Sequence, residues 1–285
     1  MPSLVAARTS WAPGAASWAR KAGIHWSSKK NAGEQVRRAL FALAAEYTTI
    51  AARSCIDVRR LNRAQSYLHE STTYAGLSQD GPTAMRVWVN QSMVAYQRKN
   101  WPDALAAARA AQASSAARRD PFFGSLGRVR VALSYAAMGD QRSALRFPGA
   151  AQEALSKAPE ELRPRWTAFY GPAELDHLAA TVHGRSRPEE AEAMAHRALP
   201  KIPSAFRRNR ALATAQLALA QLRQEEIEQA TTTAGEIFAI MDGTPLPGRM
   251  RTLIGDFHRE LFVLAPTAIY TQEWSDRTRT EWSRA

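Results

Sequence analysis

Few residues in this chain have the type and spacing to do chemistry. His177 and His183 lie six positions apart. A helical metal pair sits at i and i+4, so this spacing puts the two imidazoles on different faces. Asp176 adjoins His177 in sequence and therefore points elsewhere. His196 and His258 stand alone. Cys55 is the single cysteine, which excludes an intramolecular disulfide and a cysteine-rich metal site. Within a helical pattern it packs as a small hydrophobe. Glu225, Glu226 and Glu228 form an acidic turn whose simplest reading is a solvated loop. No glycine-rich phosphate loop, dinucleotide fingerprint or nucleophile elbow is present. The chain is therefore expected to be no enzyme, and to use no metal and no cofactor.

Binding remains, and charge sets its limits. Over 285 residues, Lys and Arg exceed Asp and Glu to give a net charge of +12. The pI near 10.4 permits nucleic acid, anionic lipid or acidic proteins as partners. Alanine supplies 55 residues and lysine only six. This Arg and Ala excess resembles the codon bias of a GC-rich bacterial genome, so part of it need not reflect binding. The pairs Arg37–Arg38, Arg59–Arg60, Arg118–Arg119 and Arg207–Arg208 are dispersed, whereas a DNA reader concentrates its charge. DNA binding is therefore expected to be weak or indirect. No apolar run is long enough to span a membrane, and no signal-type apolar segment is seen, so a cytoplasmic location is expected. Residues 1–34 are basic and carry Trp11, Trp18 and Trp26 at spacings of seven and eight. Pro13, Gly14 and Gly23 interrupt any helix there, so a poorly ordered or weakly helical extension is expected.

The elements that must position any site are helices. Apolar residues recur at helical spacing in blocks, with no alternating strand pattern. Asn100-Trp-Pro-Asp103 and Asp120-Pro121 are helix starts. Ser186-Arg-Pro-Glu189 reads as a capping box, and Gly81-Pro82 and Gly171-Pro172 mark breaks. Ala64, Ala104, Ala144, Ala191 and Ala230 open successive helices at steps of 40, 40, 47 and 39 residues. Ala132-Leu-Ser-Tyr135-Ala-Ala-Met-Gly139-Asp140, followed by Ala144 and Ala151, forms the most complete unit. On these residues the chain resembles tetratricopeptide repeat (TPR) proteins over roughly residues 35–240. The resemblance implies an all-α fold. About five TPR-like helical hairpins over residues 35–264 form an α-solenoid with a C-terminal capping helix, and residues 265–285 form a tail. Ala64, Ala104, Ala132, Tyr135, Gly139, Ala144, Ala151, Ala191 and Ala230 are then packing positions. The texture is also similar to the C-terminal repeat half of actinobacterial helix-turn-helix regulators. Residues 1–34 lack the apolar spacing and turn of a DNA-binding head, so DNA binding does not carry over.

In the repeat family the first helix of each pair lines a concave groove. By register this selects Arg86, Val89, Asn90, Met93, Tyr96 and Gln97 from one repeat. Leu126, Val129, Arg130 and Leu133 follow from the next, and Leu219 and Arg223 from the last. A mostly apolar stripe of this kind suits an extended or helical peptide with apolar anchors, Asn90 serving the peptide backbone. The other reading is that the superhelix closes and these residues pack against neighbouring helices. Trp274 and Trp282 in the tail are candidate anchors for a partner or a second copy; the other reading is a tail that folds back or frays. The leading expectation is a protein- or peptide-binding module linked to bacterial transcriptional regulation. The alternatives are a plain assembly scaffold or a sequence-nonspecific nucleic-acid binder. Oligomeric state, homodimer included, is left open. Dispersed charge makes one firm prediction: DNA affinity falls steeply with salt and is indifferent to sequence. A titration at two salt concentrations checks it, and sequence-preferring binding that survives moderate salt would refute it.

Overall fold

The computed structural model describes residues 33–283, with side chains through residue 281. The basic stretch with Trp11, Trp18 and Trp26 and the Trp282 side chain lie outside what is described. Every regular element among the described residues is helical. Helix α1 spans Glu34–Asp57, α2 Leu61–Ser78, α3 Gly81–Gln97 and α4 Trp101–Gln112. A short α5 (Ser115–Arg119) leads into α6 (Pro121–Ala137), a single turn α7 (Gln141–Ala144) and α8 (Phe147–Ser156). Helix α9 is Pro172–His183, α10 Pro188–Ala198, α11 Arg207–Leu222 and α12 Ile227–Met241. Last come α13 (Gly248–Leu264) and α14 (Ile269–Ser283).

Consecutive helices pack in pairs: α1 with α2, α3 with α4, α6 with α8, α9 with α10, and α11 with α12. Four of these pairs share one turn. Arg59, Lys99, Gly139 and Glu225 adopt left-handed φ values of 57°, 61°, 81° and 64°. In each, the next residue's N–H bonds five positions back, from Arg60, Asn100, Asp140 and Glu226 to the carbonyls of Cys55, Ala95, Tyr135 and Gln221. Five residues beyond the left-handed position stands an alanine, and Ala64, Ala104, Ala144 and Ala230 are all 0% exposed. Ala132 and Ala151 are also fully buried, Ala191 nearly so. A methyl side chain lets neighbouring helix backbones approach closely, and nothing larger fits without displacing one of them. The fourth pair departs from the pattern. Its turn runs through Gly184 with φ −51° and has no left-handed residue.

The expected caps form at Asn100 and Asp120, whose side chains accept from the backbone N–H groups of Asp103 and Phe122. The capping box at Ser186 does not. Pro188 takes the first helical position, which makes Arg187 the N-cap. Ser186 stands one residue too early and donates to His183 O and Gln141 Oε1 instead.

The core is a chain of clusters, each joining one pair to its neighbours. Ala52, Ile56, Ala64 and Leu68 meet Met93 and Val94 of the next pair. Val89, Leu126, Val129 and Leu175 tie the second, third and fourth pairs together. Ala180, Ala191 and Ala195 pack on Leu217 and Ala220. Leu219, Phe238, Ile254, Phe257 and Trp274 join the fifth pair to α13 and α14. The tail is thus largely a helix folded back on the last pair. Trp274, a candidate anchor on sequence, is 2% exposed and packs edge-on to Phe257.

The two ends of the series also touch. Helix α13 contacts α1. Asp57 at the end of α1 accepts from Arg208 of α11 at 3.1 Å and lies 3.8 Å from Arg249 of α13. Arg59 donates to Gln97 Oε1 and to Thr252 Oγ1.

The shared turn and alanine predict opposite mutational signs. Gly139→Ala should cost about 1 kcal/mol, because a Cβ at φ 81° is strained. Ala144→Leu should cost about 2 kcal/mol or more by overpacking. Lys99→Gly, exposed and left-handed, should be neutral or stabilising. Thermal unfolding of the three variants gives the signs, and a stabilised Ala144→Leu would disprove this account of the packing.

Candidate functional site

Contacts run from α1 through α3, α6, α9, α11 and α13 and back to α1, so the first helices of the pairs border a common inner face. The side chains expected on a groove divide there into three groups.

Val89, Leu126, Val129, Leu133, Leu219 and Met93 are buried in the clusters between helices. They hold the pairs together and offer little to a ligand. Arg86 and Arg223 are structural ties. Arg86 donates to Glu46 at 3.0 Å and lies over the Trp166 ring. Arg223 grips both oxygens of Glu260, at 2.8 and 2.7 Å, and donates to Gly184 O. Gln97 is engaged by Arg59.

Three positions retain free capacity or take part in a larger cluster. Asn90 is 6% exposed; its amide donates to Arg86 O, and its Oδ1 has no partner. Tyr96 packs against Trp101, and burial raises its pKa, with the positive fields of Arg130 and Arg185 opposing. Arg130 is the centre of the arrangement. It is half-buried, with part of its surface meeting solvent. Its Nη2 makes only a long 3.4 Å contact to Val89 O. Its Nε is out of water and has no acceptor. Burial pushes its pKa down to about 10, helped by Arg53 and Arg249 and opposed by Tyr96 and Glu174. It therefore stays charged at neutral pH.

Sequence reading did not single out Arg53, Arg249, Glu174 or His177 as members of one site. Arg53 reaches only the Met93 sulfur, at 3.3 Å. The Arg249 pKa is likewise pushed down to about 10, by burial first and by Arg53 second. Glu174 is held by Asn209 at 2.9 Å. His177 is 7% exposed with Nδ1 unpartnered, and burial lowers its pKa, with Arg249 adding to the shift and Glu174 opposing it. No spacing rule could have found this set, because its members come from three helices far apart in sequence. A hint was available for two of the arginines: Arg130 and Arg249 have no acid four positions away, whereas Arg53 has Asp57 at i+4.

Other candidates resolve simply. Cys55 is buried among apolar neighbours, and desolvation raises its thiol pKa, so it is a poor nucleophile. His183 bonds Glu190 at 3.0 Å and His196 lies 3.4 Å from Glu192. Glu225 is the left-handed turn residue and Glu226 the N-cap of α12. Among the described residues no cluster of three His, Cys, Asp or Glu could hold a metal, and no helix is long and apolar enough to cross a membrane.

The arrangement can bind and orient an anionic or hydrogen-bonding group; it holds no nucleophile paired with a base. The depressed pKa of His177 also has a consequence for stability. The unfolded chain takes up the proton near 6.5 and the folded chain only at lower pH. The stability contributed by neutral His177 is present above that pH and lost as pH falls through the window below it. His258, also lowered, acts in the same direction. The wild type should lose stability between pH 7 and pH 5, and His177→Leu should flatten part of the loss. Denaturant unfolding at the two pH values measures both slopes, and equal slopes would remove His177 from the account. No protein-family model matches the sequence and no curated protein matches it, so the function is argued from this geometry.

Proposed function

We propose that this chain is a non-catalytic binding module, a TPR-like stack of helical hairpins that takes a protein or peptide segment on its inner face. The observation that carries the reading is the convergence of polar side chains from distant helices on one inner face. Arg53, Tyr96, Arg130, His177 and Arg249 come from α1, α3, α6, α9 and α13, and Arg130 and Arg249 bring them into one electrostatic network. The recurring left-handed turn and buried alanine support the solenoid reading, since they repeat the same hairpin junction four times. Compared with the apolar groove expected from register, the face is polar and cationic, so apolar anchoring is the smaller part of recognition. The role we assign is that of a sensor or adaptor. Its link to bacterial transcriptional control rests on the resemblance to the repeat half of helix-turn-helix regulators.

The reading is tested by selecting a displayed peptide library on the purified chain. Recovered peptides should slow hydrogen exchange on α3, α6 and α9, not on the outer helices α2 and α4. Failure to recover any peptide, or protection confined to α2 and α4, would overturn it.

A further inference from the structure

The inner arginines differ in what neutralises them. Arg86 has Glu46, Arg223 has Glu260, and Arg208 has Asp57. Among the described residues no carboxylate lies within ion-pair distance of Arg53 or Arg130. Arg249 has only a 3.8 Å approach to Asp57, which it shares with Arg208. Glu174 acts on Arg130 and Arg249 only through space and is already held by Asn209.

Arg53 and Arg130 reach α3 one turn apart, at Met93 and Val89, and Arg249 lies beside Asp57, one turn along α1 from Arg53, so the three guanidinium groups gather in one region with little negative charge among them. Like charges in such a place repel, and a buried N–H without an acceptor carries its full desolvation cost. Both terms vanish when an oxyanion enters. Each guanidinium offers a planar fork of donors that matches a carboxylate or phosphate. Arg130 Nε is a donor already stripped of water, so it gives up no hydration when an oxygen arrives. Asn90 Oδ1 adds a bare acceptor on the face of α3 that also carries Met93, which Arg53 touches.

We infer that Arg53, Arg130 and Arg249 form an oxyanion site that takes a multiply charged carboxylate or phosphate group of the ligand. Asn90 then accepts a hydrogen bond from a neighbouring N–H or O–H of the same ligand. The inference rests on the proposal that the inner face is the ligand surface, and it names the chemistry recognised there. Such a group can come from the acidic side chains of a peptide or from a small phosphorylated molecule.

The experiment is thermal unfolding of the full chain at low ionic strength with two probes, sodium pyrophosphate and a hexaglutamate peptide. Sodium chloride at matched ionic strength is the control. At a concentration about a hundredfold above its Kd, a binding probe should raise Tm by roughly 5–10 °C. Arg130→Gln and Arg53→Gln should each abolish that rise, and the exposed Arg142→Gln should keep it. Without probe, Arg130→Gln should melt no lower than the wild type, because repulsion is relieved. A merely structural arginine would behave oppositely. A response to hexaglutamate alone identifies an acidic peptide as the source, and a response to pyrophosphate alone a small phosphorylated ligand. No rise beyond the chloride control with either probe overturns the site. So does an equal loss of response in Arg142→Gln, or an unchanged response in both Arg130→Gln and Arg53→Gln. Selected peptides that bind these two variants as tightly as the wild type would leave the binding module standing and remove the oxyanion site. Pyrophosphate binding with no peptide recovered would do the reverse.

Discussion

The whole arrangement depends on the contact made by a fully buried alanine where two helices cross just after a turn. Ala64, Ala104, Ala144 and Ala230 each fill that place with one methyl group. The turn before each is held open by a left-handed residue and closed by a hydrogen bond five positions back. Together these two features fix how far apart the paired helices lie and at what angle. Four of the five pairs share this junction, and the first helices of successive pairs contact one another. Specificity for this geometry is steric. A larger side chain at the alanine would force the helices apart and rotate every pair beyond it.

Repetition alone would leave the two ends of such a stack apart. Here they are joined by Asp57, which receives Arg208 and lies near Arg249, and by Arg59, which donates to Thr252 Oγ1. The joint is polar, small and partly exposed, so it is weak beside the apolar clusters that link neighbouring pairs. That difference in strength matters. The clusters keep each pair on its neighbour, while the joint decides how tightly the inner face is enclosed. The face is therefore shaped by the strong packing and closed by the weaker polar contact.

The spacing of alanines at about forty residues marked the hairpins, and the caps at Asn100 and Asp120 stood where Pro and an acid predict them. Ser186 shows the limit of motif reading. The letters of a capping box were present, but Pro188 moved the helix start one residue beyond the serine. The groove shows a deeper limit. Helical register says which residues share a face, not which neighbouring helix covers it. Val89, Leu126 and Val129 lie on the expected faces and are used up by the next pair. Trp274 faces Phe238 and Phe257 because the tail folds back; periodicity places it on one helix face but does not say which helix that face meets. Arg53 and Arg249 meet only because the ends of the chain of helices close, so no local pattern announces them.

The charges on the inner face and the apolar clusters between pairs then answer to different demands. Stability needs only that each pair bury its alanines and its Leu, Ile and Phe side chains against the next. Nothing in that requirement calls for Arg53, Arg130 and Arg249 to gather in one region. In Arg86 and Arg223 the chain shows how it neutralises an inward arginine when the role is structural: a glutamate from another helix is brought within 3.0 Å. The same solution is withheld from Arg53 and Arg130, which lie among the same helices and would be served by one acid on α9 or α13. A positive field left uncancelled at the centre of the inner face, while its neighbours are carefully paired, is what an anion-binding surface requires and what a packing surface avoids.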